Sequence, residues 1–309
     1  MFSRFPELAS GSWSGRPGCL FAAAAVMVGS VHAQPSAGTA ATTTDATNPR
    51  PPGLLRVCAD PNNLPFSNAK EAGFENRIAQ VLARELGLTL RYTWFAQRRG
   101  FLRNTLHARE CDLVMGLPHG FELAATTAPY YRSSYVFVTR TSEGLRLQSL
   151  DDDALHPLRI GVHLVGDDYN NTPPAHALAR RGMSANVRGY MLYGDYREPD
   201  PPARILEALA RKEIDVAIVW GPLAGYFASR LPVPLSLTPV SPAQDQGLLP
   251  MQFDIALGVR RGEPQWMARL EAAMQARQAE IAQILAEYQV PLIPVQTAAA
   301  AAGKEERQR

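Results

Sequence analysis

The sequence is poor in charge and nearly devoid of cysteine. Of its 309 residues only 19% are charged, against 46% hydrophobic, with three cysteines in all. A chain of that balance is not a disordered acidic or basic protein and has apolar side chains enough for a substantial core. Its charges nearly cancel, with 31 Lys plus Arg against 29 Asp plus Glu. Nucleic-acid binding needs a concentrated basic face to neutralise phosphates, so no nucleic-acid partner is expected. No apolar run reaches the roughly 20 residues of a spanning helix beyond one short N-terminal stretch, and a membrane-spanning protein is not expected.

Several chemistries are missing too. The near miss to a nucleophile elbow, Gly11-Ser12-Trp13-Ser14-Gly15, has Trp where the nucleophile should be. There is no phosphate loop and no haem-attachment cysteine pair. The histidines show no pair at metal-helix spacing. Asp168 and Asn170 offer oxygens to calcium, but the loop glycine and distal glutamate of an EF-hand are absent. No catalytic residue, metal or cofactor is therefore expected. His119 beside Glu122 is the remaining acid–base candidate, with a packed or solvated histidine as the plainer reading.

What is present begins with an export signal. Arg4 and Arg16 precede an apolar core from Cys19 to Val28, and Val31-His32-Ala33 offers small residues for cleavage after Ala33. Cys19 precedes that core, whereas a lipid-modified cysteine should follow it. Residues 1–33 read as a signal peptide, 34–53 as a disordered linker rich in Ala, Thr, Ser and Pro, and 298–309 as a flexible tail. The expected compartment is the periplasm. Cys58 and Cys111 remain after export, where a disulfide can persist. A bridge and two separately buried thiols both fit, because the sequence does not give the Cα separation that bridging requires.

The folded part alternates strand and helix. Leu54–Ala59 reads as a buried strand ended by Asp60-Pro61-Asn62-Asn63. Ile78, Val81, Leu82 and Leu86 recur at helical spacing with Gly87 as a stop. A strand over 88–95, a helix around Phe101 to Leu106 and a strand headed by Asp112 follow. The pattern restarts at Leu158–Val162, with helices near 173–181 and 203–211 and a strand headed by Asp215 that ends at Trp220. Strand-like crossings at 135–139 and 253–259 join the halves, and two helices close the chain. This predicts an α/β fold of two lobes, each with a central mostly parallel sheet. Lobe 1 would comprise 54–139 plus 253–297, and lobe 2 residues 140–252. Ligands in such sheets sit beyond the carboxyl ends of the strands, here the loops after Ala59, Phe95, Met115, Val162, Leu192 and Trp220.

Leu55–Asp60 with Pro65-Phe66, Gly73-Phe74-Glu75, Glu110–Gly116 and Pro129-Tyr130-Tyr131 resemble periplasmic solute-binding proteins of the amino-acid-receptor type. Longer strings resemble a narrower group. Cys58–Asn68, Gln97–Phe101, Asn171–Leu178 and Trp220–Tyr226 look like the solute-binding-like J proteins associated with quinoprotein methanol dehydrogenases, the MxaJ/XoxJ type. The resemblance implies a type II periplasmic-binding-protein fold. It also implies a non-catalytic accessory that binds a pyrroloquinoline-quinone (PQQ) methanol or alcohol dehydrogenase and assists its maturation or activation. A receptor of an ABC transporter for a small, non-amino-acid ligand is the alternative, and a lyase or dehydratase on the same scaffold a third reading.

The chain departs from an amino-acid receptor where such a receptor grips its ligand. No Arg lies between Pro118 and Pro129 to fork a carboxylate, and Trp220 stands where an acidic residue would meet the ammonium. A zwitterion stripped of water without those partners would lose several kcal/mol. The residues expected in the cleft are Asp60, Asn63, Phe66, Gln97, Arg98, Leu117, Tyr130, Asp168, Thr172, Tyr193, Tyr196 and Trp220. Thr172 before Pro173 and Pro174 reads as a helix cap that would aim free N–H groups at an anion. The aromatics would line the cleft or pack between lobes. Arg98, Arg99 and Arg103 beside Phe101 form either a docking patch for an acidic surface or a solvated helix face.

Overall fold

The computed structural model describes residues 50–165, 171–193 and 196–294. The expected export signal, nearly all of the expected leader, the C-terminal tail and Asp168 lie outside the described residues.

Strand β1 (Leu54–Ala59) forms where a short apolar run turns Leu55 and Val57 fully into the core. Helix α1 (Phe74–Leu86) packs Ile78, Val81 and Leu82 on it and stops at Gly87, whose φ of 64° is the left-handed cap conformation that glycine adopts at little cost. Strand β2 (Thr89–Trp94), the single turn α2 (Phe101–Asn104) and strand β3 (Leu113–Pro118) complete the first half. The expected helix through Leu106 is shorter because Thr105 leaves helical geometry and its hydroxyl donates to the Phe101 carbonyl at 2.6 Å. Leu106 is nevertheless buried, packed with Phe101 and Leu102 against Cys58 and Cys111. Those two cysteines are joined, with Cα atoms 5.5 Å apart.

Strand β4 (Tyr131–Arg140) leads into the second half: β5 (Ile160–Leu164), α3 (Pro173–Arg180), β6 (Val187–Met191), α4 (Arg204–Ala210), β7 (Val216–Trp220), α5 (Gly221–Ala228) and β8 (Leu235–Pro239). Strand β9 (Gln252–Val259) returns, and α6 (Pro264–Ala276) and α7 (Gln278–Glu287) end the described chain. Helix α5 starts directly after Trp220, where a loop was expected. Pro222 pre-sets its first turn, and a nearly fully buried apolar sequence carries it.

The sheets are continuous, in the order β2-β1-β3-β9-β4-β7-β5-β6, with β8 on the other edge of β4. β1 pairs in parallel with β2 and β3, and β5 with β7 and β6. β4 is shared between the two sheets. Its residues Tyr131–Ser134 pair with β9, while Tyr135–Arg140 pair with β7 and β8, so the lobe boundary expected at Thr139 lies inside the second sheet. Each lobe is therefore one mostly parallel sheet flanked by helices, and antiparallel strands make the crossing.

The halves repeat one device. In the first, Asp112 heads β3, its N–H bonds the Arg56 carbonyl at 2.8 Å, and its carboxylate takes the Arg56 fork at 2.8 Å. In the second, Asp215 heads β7, with 2.9 Å to the Arg159 carbonyl and 2.7 and 2.9 Å to the Arg159 guanidinium. Such charge-assisted bonds contribute about 1.5–3 kcal/mol each when shielded from water. Asp112 is fully buried and also meets Arg260 at 2.9 Å. Burial opposes its ionisation, but the two guanidiniums outweigh it and hold its carboxyl below the ordinary value.

The lobes also pack directly on one another. Tyr288, capping α7, stacks on Tyr226 of α5 at 5.6 Å and 13°. The following segment needs Gly225, because a Cβ there would stand 1.8 Å from the Gln289 carbonyl oxygen. Leu64 and Phe66, from lobe 1, join the apolar cluster of lobe 2.

Candidate functional site

Between the lobes lies a cavity of about 270 Å³ lined by Asn63, Phe66, Glu75, Gln97, Gly116, Tyr131, Tyr135, Tyr193, Trp220 and Phe253, with Pro118, Leu192, Leu223 and Ile255. Strand ends and first helical turns build it. Phe66 and Glu75 enter where β1 hands over to α1, Gly116 from β3, and Trp220 as the last residue of β7 and the cap of α5. Tyr135, Trp220 and Phe253 meet edge to face, with centroids 5.4 to 6.5 Å apart. Burial raises the pKa of the Tyr131, Tyr135 and Tyr193 hydroxyls, so all three stay protonated. Neither Lys nor Arg is among the described residues of the wall.

The expected Asn63, Phe66, Gln97, Tyr193 and Trp220 thus meet in one cavity. Asp60 and Tyr196 do not line it; they latch it. The Asp60 carboxylate accepts Tyr196 Oη at 2.6 Å from across the cleft, and the N–H groups of Asn62 and Gln97 at 2.8 and 2.6 Å from its own lobe. Asn62 adds a second crossing bond to the Glu198 carbonyl at 2.8 Å, and Arg98 lies over the Tyr196 ring at 5.1 Å. The structure is closed.

Other expected cleft residues go elsewhere. Tyr130 lines a separate groove beside α6 and α7, although its neighbour Tyr131 reaches the cavity. Thr172 caps α3, but its hydroxyl donates inward to the His163 carbonyl at 2.8 Å. Prolines at the first two helical positions remove the N–H groups that an anion would have used, so the expected anion site is not formed there. His119 and Glu122 are both exposed, and the His119 Nδ1 is taken by the Thr127 carbonyl at 2.9 Å. Neither lines the cavity.

Leu117 and Arg98 belong to a second hollow at the mouth, a groove of about 880 Å³. Lobe 1 contributes Arg98 to Arg103, His107, Leu117, Phe121 and Leu123; lobe 2 contributes Val165, Met191 and Tyr193. Leu123, Val165 and Met191 are 58%, 40% and 48% exposed, an unusual concentration of open apolar surface.

The residue overlooked in the sequence is Glu75. It stood there as part of a fold marker, yet its carboxyl lies against Gly116, where an added Cβ would be 2.2 Å from Oε1. No hydrogen bond or ion pair joins it to any described residue, and burial pushes its pKa up to about 8. An acidic residue in the first turn of the helix that follows β1 was the signal that could have revealed it.

Two lobes of mostly parallel sheet, joined by paired crossing strands over a cleft, are the fold of type II periplasmic binding proteins. The cleft wall is aromatic and, among the described residues, holds no Lys or Arg. No family model matches the chain. It is 31% identical over 247 residues to Protein MoxJ of Paracoccus denitrificans, covering 78% of this chain and 89% of that one. It is 32% identical over 255 residues to Protein MoxJ of Methylorubrum extorquens, covering 79% and 83%. The crystal structure of the periplasmic binding protein XoxJ from Methylobacterium extorquens AM1 shares 38% identity with a TM-score of 0.64, over 78% of this chain and all of that one. The chain belongs to the MoxJ family. These binding-protein relatives imply a periplasmic location.

Proposed function

We propose that this protein is exported by its N-terminal signal and acts as a non-catalytic accessory that docks on a PQQ-dependent methanol or alcohol dehydrogenase and assists its maturation or activation. The observation that carries this reading is the mouth groove, where both lobes leave apolar side chains open to solvent beside Arg98, Arg99 and Arg103. Exposed apolar surface with a charged rim suits a protein partner better than a nutrient: the core of the patch supplies affinity and the rim supplies steering. An amino acid, by contrast, would meet no guanidinium among the described residues of the cavity wall to hold its carboxylate.

The test uses the purified mature chain and a purified quinoprotein dehydrogenase of the same periplasm. Saturable association that weakens as salt rises is the expected result, with no thermal shift from glutamate or arginine. Absence of association together with a shift of several degrees by one amino acid would overturn the reading, because a ligand bound only to the native closed form stabilises it by mass action. The alternative, a solute receptor for a small non-amino-acid ligand, is favoured by one observation alone, the aromatic-walled cavity between the lobes.

A further inference from the structure

Among the described residues the cavity holds unsatisfied acceptors and no cation. Glu75 makes neither a hydrogen bond nor an ion pair with any described residue, and Asn63 Oδ1 on the same wall is buried without a donor among them while its Nδ2 is spent on Gln97 at 3.0 Å. An unmet buried acceptor costs about 1–3 kcal/mol, and an unpaired carboxylate more, so the walls favour a guest that brings donors and positive charge. Phe66, Tyr131, Tyr135, Tyr193, Trp220 and Phe253 supply ring surfaces, whose faces attract cations most strongly where water is excluded. At about 270 Å³ the space falls below the roughly 300–1,000 Å³ of pockets for drug-sized molecules. A guest carboxylate would find no Lys or Arg on the described wall and would face Glu75 instead.

We infer that the cleft binds a small primary alkylammonium, a monocation of a few heavy atoms with no carboxylate, whose N–H groups bond Glu75 and the Asn63 amide oxygen while its alkyl chain lies among the aromatic rings. This goes beyond the docking reading and does not rest on it, since the groove and the cavity have different walls. Binding would be linked to proton release. The titratable groups acting on or affected by Glu75 are the phenols of Tyr92, Tyr130, Tyr131 and Tyr193, all held protonated by burial, with no Lys or Arg among its described partners. The carboxyl, with its pKa at about 8, must ionise to pair with the ammonium.

The test is calorimetric titration of the mature chain with n-butylammonium, its neutral counterpart 1-butanol and its carboxylate-bearing counterpart γ-aminobutyrate, at pH 7 and pH 9. A primary amine stays charged across that range. n-Butylammonium is expected to bind best, and about tenfold more tightly at pH 9 than at pH 7, as the ionised fraction of Glu75 rises from about one-tenth to about nine-tenths. Glu75→Gln should weaken it at least tenfold and flatten the pH profile. The wild-type pH profile reads the same linkage should the variant fold poorly. Equal affinity for 1-butanol, a flat wild-type profile, or no n-butylammonium binding at either pH would overturn the inference. None of these results depends on a dehydrogenase being present, so this inference and the docking proposal fail separately.

Discussion

Two hollows adjoin at the junction of the lobes and share only Gln97 and Tyr193 among their described walls. The cavity is bridged by Asp60 and Tyr196, ringed by aromatics, and holds the Glu75 carboxyl, which has no partner among the described residues. The groove is about three times larger, opens to solvent, and shows Leu123, Val165 and Met191 beside arginines. One fold thus separates two kinds of recognition. A small, aromatic-walled space suits a small guest, whereas a larger stretch of exposed apolar surface suits a partner large enough to cover it. The contrast rests on two supports that can be removed independently, the scaffold under the groove and the latch over the cavity.

The largest expected effect is on the groove's floor. Cys58 and Cys111 lie beneath it with Phe101, Leu102 and Leu117, and their bond closes a loop of 53 residues. The chain-entropy estimate for that loop is about 4 kcal/mol. Cys58→Ser with Cys111→Ser should therefore lower the urea midpoint markedly and remove dehydrogenase binding with it. An unchanged midpoint would show that the floor is held by packing alone.

A change of pH should then act with opposite sign on the two sides of the comparison. His163, nearly fully buried below the Val165 wall of the groove, gives its Nε2–H to the Pro202 carbonyl at 3.2 Å, and burial depresses its pKa to about 4. Its folded value lies below the unfolded value of about 6.5, so the stabilisation is complete above that pH and is lost as pH falls towards 4. That drop is on the order of 3 kcal/mol, and His163→Gln should lessen the acid slope in denaturant titrations. Glu75 has the reverse sign. Its folded pKa of about 8 lies above the ordinary value of 4.5, so its contribution is complete below that pH and is lost progressively as pH rises to 8. Glu75→Gln should remove this fall, most plainly between pH 6.5 and 8, where His163 adds no slope of its own.

A smaller effect is expected at the latch. Tyr196→Phe removes one hydrogen bond to a carboxylate on a partly exposed ring, worth about 1 kcal/mol. Hydrogen exchange at the amides of Asn62 and Gln97 should rise, while the exchange of β1 and α1 stays slow. Uniformly faster exchange would mean that the latch supports the whole fold rather than the closed state.

Much of this architecture was legible along the chain. Leu55 and Val57 mark β1, Ile78, Val81 and Leu82 mark the buried stripe of α1, and Asp112 and Asp215 head equivalent strands because each ties its half to an arginine on or beside the first strand. The misses have local causes. A loop is expected after Trp220, yet Gly221-Pro222 begin a buried helix there, and Gly225 thins it where the C-terminal segment presses on it. Tyr130 stands just before strand β4 and Tyr131 opens it; both border the groove beside α6 and α7, but only Tyr131 also reaches the cavity. Thr172 carries a capping side chain, but the two prolines that follow leave its helix few N–H groups to offer a ligand. Glu75 was hidden by its neighbours: Gly73-Phe74-Glu75 reads as a fold marker, and only the absent side chain of Gly116, far along the chain, brings the carboxyl into the cleft.

The most direct measurement compares Leu123→Glu with Met191→Glu, combined at the mouth, against Trp220→Ala inside, each assayed for dehydrogenase affinity and for thermal stability. The mouth variant should weaken association at least tenfold, about 1.4 kcal/mol, and leave the melting temperature nearly unchanged. Trp220→Ala should cost about 3 kcal/mol of stability and leave association intact once the protein is folded. The opposite outcome, with partner binding lost on emptying the cavity and untouched by acid groups in the groove, would contradict the assignment of the two hollows.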